Sequence, residues 1–119
     1  MTSGGGAFSW NSELPSGRNP FWIRDEALTG LGLHTGDAVS VDTRVEPCNG
    51  DLVVADAEVD GDAVRIARRY FAVGDQVRLE PQGSEEILLL PAENVIIMGV
   101  IVARLRISAD GGQVIEEPF

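Results

Sequence analysis

A chain of 119 residues, 44% of them hydrophobic, is long enough for one domain that buries about two-thirds of its unfolded surface without disulfide or metal staples. Its net charge of -10 opposes direct nucleic-acid binding, because phosphate contacts are made mostly by Lys and Arg. All nine basic residues are arginines, which excludes a Ser-Lys dyad, a Schiff base and a phosphate-binding lysine, and the single Cys48 excludes an internal disulfide and suits a reducing cytoplasm.

Residues 1–19 hold Gly4-Gly5-Gly6 and few anchors, so they read as a flexible arm in which Phe8 and Trp10 either pack on the domain or hook a partner. Phe21-Trp22-Ile23 predicts a first strand, and Asp25 to Leu28 a turn or short helix closed by Gly30 or Gly32. Four Gly-Asp dipeptides follow, at Gly36, Gly50, Gly61 and Gly74, each opening an alternating apolar stretch. Glycine supplies the positive φ of a tight turn, aspartate bonds to nearby backbone, and the β-branched residues behind them prefer a pleated sheet. Strands are expected over 37–42, 51–58, 62–71, 76–80, 86–90 and 95–107, with Asp60-Gly61 as a hairpin turn. The apolar run from Val95 to Ala103 is half the length of a membrane helix, and no secretory signal stands at the N-terminus. The tail from Ser108 to Phe119 adds an edge hairpin or frays. The fold class is therefore all-β, a small coiled and partly open barrel of about six to eight strands spanning 20–107.

The order of these pieces resembles the C-terminal domain of the LexA/UmuD-type Ser-Lys peptidases. In that family a strand leads into a Gly-Asp-Ser-Met turn, followed by a Gly-Asp strand, an Asn-Gly-Asp-Ile-Val-Val strand, a Thr-Val-Lys-Arg strand and a closing Gly-Val-Val-Val strand. Here the matching pieces are Asp25-Glu26-Ala27-Leu28, Gly36 to Asp42, Asn49 to Val54, Ala63-Val64-Arg65-Ile66 and Gly99 to Arg104. By this resemblance the nucleophile position falls on Ala27 and the base position on Arg65. A methyl group cannot attack a carbonyl, and a guanidinium stays protonated at neutral pH. The resemblance therefore implies a peptidase fold without its dyad: a dimerisation and protein-interaction module in bacterial or phage regulation, such as an SOS response. The alternative is an inactivated form of a self-cleaving parent with Ser at 27 and Lys at 65.

The resemblance also implies that Arg65 lies in a vestigial cleft beside Ala27, where it bonds Asp25, Glu26 or the carbonyls of a bound peptide. A homodimer is expected through Ile97, Val100, Ile101 and Val102, because a strand so apolar on both faces must be covered twice. No cofactor, metal or membrane is expected. His34 with Asp37, Ser40 and Asp42 does not make a triad, since a loop and an alternating strand do not converge their side chains. Asp56 to Asp62 mimics half a calcium loop but has Ala67 where the bidentate glutamate belongs. Arg65 and Arg69 share one strand face while Arg68 takes the other.

Overall fold

The computed structural model describes residues 14–83, 85–107 and 113–119. Eight strands form one antiparallel sheet: β1 (Arg18–Trp22), β2 (Ala38–Asp42), β3 (Leu52–Val59), β4 (Asp62–Val73), β5 (Gln76–Glu80), β6 (Leu88–Pro91), β7 (Val95–Ile107) and β8 (Val114–Pro118). They lie in the order β1-β2-β7-β3-β4-β5-β6, with β8 paired to the far half of β7. Two single-turn 3-10 helices, Thr29–Leu31 and Ala92–Asn94, complete the regular structure of the described residues. No helix among them is long and apolar enough to cross a membrane.

The Gly-Asp turns fall where the alternation stops. Asp60 and Gly61 both have positive φ, 52° and 85°, the geometry that lets a two-residue turn follow the twist of the β3–β4 hairpin. The short helix at Thr29–Leu31 ends on Gly32, which is left-handed and returns its N–H to the Thr29 carbonyl. β1 starts at Arg18, inside the stretch read as arm, because Arg18 is anchored: its Nε donates to Asp42 and its Nη1 to both oxygens of Glu116. Residues 1–13 of that arm lie outside the described residues.

Strand alternation divides the interior into two clusters. Leu52, Val54 and Ala67 join Phe21, Ile23, Leu28, Leu33, Val39, Val41 and Ile101, while Val53, Ala55 and Ala57 join Val77, Leu79 and Val100. A fully buried side chain such as Leu28, Leu33 or Leu79 contributes about 1.5–3 kcal/mol. The same division corrects the expected dimer surface. Val100 and Ile101 are buried within the chain and Ile97 and Val102 half-buried, because Ile101 packs in the first cluster and Val100, Ile97 and Val102 in or against the second. From Val100 to Leu105 the chain itself covers both faces of this strand at Val100, Ile101, Ala103 and Leu105. At Gly99 β7 and β2 come so close that a Cβ would lie 2.6 Å from Val41 Cγ1.

Candidate functional site

The turn after β1 carries Asp25, Glu26, Ala27 and Leu28, and it is held from three directions. The Ala27 N–H donates to Asp25 Oδ1 at 3.1 Å. The Ala27 carbonyl accepts from the Gln82 N–H, and the Gly30 N–H donates to the Gln82 carbonyl, so the segment after β5 is strapped across the turn. Gly30 and Gly83 permit that approach: a Cβ on Gly30 would collide with the Gln82 oxygen, and one on Gly83 would meet Thr29 Oγ1 at 2.7 Å. Ala27 itself has no exposed surface.

The third tie is ionic, and it comes from Arg68. Its Nη2 lies 3.1 Å from Asp25 Oδ2 and its Nη1 also donates to the Ala67 carbonyl, while its Nε is buried with no acceptor among the described residues. The Arg68 side chain is 7% exposed and that of Asp25 32%, so the cation is the desolvated partner. Arg65 is elsewhere. It forms a two-pronged pair with Asp56 across the hairpin, Nε to Oδ1 at 2.6 Å and Nη2 to Oδ2 at 2.9 Å. This corrects the sequence expectation that Arg65 meets Asp25 or Glu26. Asp56 opposes Arg65 in the β3–β4 ladder and Val53 opposes Arg68, so the two arginines stand an odd number of residues apart and project to opposite faces. Their pair makes each other's charged form favourable: hydrogen bonding holds Asp56 below its ordinary range and Arg65 above its own.

Glu26 faces the loop instead. Its carboxylate is held down to about 2 by hydrogen bonds from the Thr35 side chain and the Thr35 N–H, with His34 Nδ1 at 3.2 Å as a smaller contribution. The depressed value gives the sign of the pH effect. The contact's contribution is complete above the ordinary carboxylate value of 4.5 and is lost as pH falls through about 2. We predict that Thr35 amide protection falls over that window in hydrogen exchange, and that Glu26→Gln removes the step.

His34 and Ser40 are not brought together. The Ser40 hydroxyl is fully buried and donates to Glu116 Oε2 at 2.5 Å, and Asp42 accepts from Arg18 and from the Arg44 N–H. This network of Arg18, Ser40, Asp42 and Glu116 ties β1, β2 and β8 together. Sequence reasoning missed it because nothing in an acidic tail indicates which carboxylate folds back onto the sheet. The Asp56 to Asp62 stretch is a strand end and a tight hairpin, not a helix-flanked ion loop.

The Peptidase S24-like family profile matches residues 4–102. The chain is 35% identical over 86 residues to the LexA repressor of Shouchella clausii, covering 71% of this chain and 38% of that protein. It is 31% identical over 84 residues to the LexA repressor of Enterococcus faecalis and 31% over 88 residues to that of Deinococcus radiodurans, covering 38% and 41% of those proteins. The chain thus spans about two-fifths of the length of these relatives.

Proposed function

The chain belongs to the Peptidase S24-like family, and from that premise we propose that it is a non-cleaving member whose task is to pair and to bind protein in bacterial or phage regulation. One observation carries the reading: the turn where the family resemblance puts a nucleophile holds Ala27, sealed under Gln82 and tied through Asp25 to Arg68. We further propose that the base position belongs to Arg68, not Arg65. Two things support the reassignment. Ile66-Ala67-Arg68-Arg69 carries both basic residues of the Thr-Val-Lys-Arg pattern, where Ala63-Val64-Arg65-Ile66 carries one, and Arg68 is the arginine that reaches the turn.

Under this alignment three departures explain one another. The family's first turn glycine becomes Asp25, its serine Ala27 and its lysine Arg68. A buried guanidinium that cannot shed its proton needs a counter-ion, and the added carboxylate is that ion. With no hydroxyl to activate, the pair stabilises the turn and performs no proton transfer.

Pairing is the second half of the proposal, in the cytoplasm and without nucleic acid contact by this chain. The surface it uses is the exposed end of β7 with β8, where Ile107 is 39% exposed. Light scattering at tens of micromolar tests it, within the range of weak dimers. A dimer is expected, weakened at least about tenfold by Ile107→Asp, whereas Ile101→Asp unfolds the chain because Ile101 is core. A monomer at that concentration contradicts the proposal.

A further inference from the structure

The face of the β3–β4 hairpin that carries Asp56 and Arg65, opposite to the one that carries Arg68, borders an unusual exposure. Ile96 is 64% exposed, more than any other large apolar side chain among the described residues. It opposes Asp56 in the β3–β7 ladder, so it stands on the same face as Asp56, Glu58 and Ala63, and with Glu93 and Asn94 these residues line a shallow groove of about 220 Å³. Two residues along β7, Met98 carries the apolar surface into a second groove of about 290 Å³ floored by Phe21, Val41 and Val54 and walled by Arg65. The two depressions share the Asp56–Arg65 pair as their divide.

The rim of the first groove is electrically unbalanced. The side chains of Glu58 and Glu93 are exposed and make no ion pair or hydrogen bond among the described residues, nor do those of Asp60 and Asp62 at the hairpin tip, while Arg65 is engaged with Asp56. Arg24 lines an adjoining depression with Val64 and Arg65 that shares Asp56 and Ala63 with this groove. An apolar strip between unneutralised carboxylates selects its occupant by charge: an aliphatic or aromatic side chain for Ile96 and Met98, with lysine or arginine beside it for Glu58 and Glu93.

We infer that this strip docks an extended segment of a partner protein in which apolar residues adjoin Lys or Arg, a deepening that rests on the reading of the chain as a binding domain. The chain's own parts fit poorly. Residues 1–13 offer Phe8 and Trp10 but no Lys or Arg, and Glu13 adds repulsion. A second copy offers one arginine outside ion pairs and backbone contacts among the described residues, Arg24, a single cation for the two carboxylates; the others are engaged, Arg18, Arg44, Arg65, Arg68, Arg78 and Arg106 in ion pairs and Arg69 and Arg104 on backbone carbonyls. Nucleic acid is repelled by the same carboxylates.

The probe is a fluorescein-labelled peptide, Gly-Ser-Ile-Leu-Lys-Arg-Gly-Ser, titrated at low salt by polarisation and mapped by amide chemical shifts. Saturable binding is expected with Kd between about 10 μM and 1 mM, and shifts centred on 56–63 and 93–98. Glu58→Gln with Glu93→Gln, and separately Ile96→Ser, each weaken it at least about fivefold with melting unchanged, and Asp75→Asn leaves it alone. The inference is overturned if nothing saturates below about 1 mM, if the Ser-Ser analogue of Ile-Leu binds equally, or if the shifts centre on Asp25 and Arg68. Peptide cleavage, read by mass, would overturn the non-cleaving reading instead, while the shift map still decides this one.

Discussion

Replacing Asp25→Gly, Ala27→Ser and Arg68→Lys together is expected to create a reactive serine, and replacing Ala27→Ser with Arg65→Lys is not. The readout is the covalent adduct of diisopropyl fluorophosphate, located by peptide mass. An amine at 65 would sit beside Asp56 on the opposite face of β4, with no path to the turn. An amine at 68 points to the turn, but with Asp25 in place it would be held as ammonium and could not accept a proton. Removing that carboxylate lets burial lower the amine's pKa, which is what a general base near neutral pH requires. The triple variant is therefore expected to label at least about a hundredfold faster than Ala27→Ser alone, with the rate rising toward alkaline pH. Equal labelling of the variants with amines at 65 and at 68 would refute the assignment of the base position.

The stability of the Asp25–Arg68 pair has a built-in asymmetry. Asp25→Ala leaves a guanidinium that is 93% buried without its counter-ion, and is expected to cost about 3 kcal/mol, or roughly 10 °C in Tm. Arg68→Met leaves a carboxylate with a third of its surface in water and an N–H from Ala27, so about 1 kcal/mol is expected. The double variant should match Arg68→Met alone, a coupling of about 3 kcal/mol. Urea denaturation of the four proteins measures it. Equal costs for the two single variants would mean that Asp25 is no counter-ion and that the turn is held by Gln82 alone.

Much of the sheet is legible in the chain because its turns and its alternation agree. The Gly-Asp dipeptides precede β2, β3, β4 and β5, and the long apolar run is β7 with the bounds its pattern gives, 95 to 107. The covering of β7 is not legible in the same way. Apolar residues on both faces demand two covers, but whether the sheet curls over its own strand or a second chain lies on it depends on long-range closure. The β7–β8 pair is the edge hairpin that the tail offered as one of two outcomes, but the Glu116 contacts with Arg18 and Ser40 that hold it, across a separation of 76 residues or more, are not legible locally. The candidate site fails at a single step of register. Arg65 and Arg68 differ by three positions, and an odd shift in a strand moves a side chain to the other face. The available signal was the Arg68-Arg69 pair, which preserves two successive basic residues where Arg65-Ile66 does not.

The most direct measurement is intact-mass analysis of the native chain, alone and mixed with a LexA repressor such as that of Shouchella clausii, held for hours from neutral pH to above about 10, where a lysine base would be deprotonated. The account predicts that this chain's mass stays whole across the range and that the repressor is cleaved no faster with the chain than without it, since Ala27 offers no nucleophile and a guanidinium is no general base. Cleavage of this chain at a defined bond, or cleavage of the repressor beyond the rate of the repressor alone, that survives Ala27→Gly and Arg68→Met would reveal a nucleophile elsewhere in the chain and would contradict it.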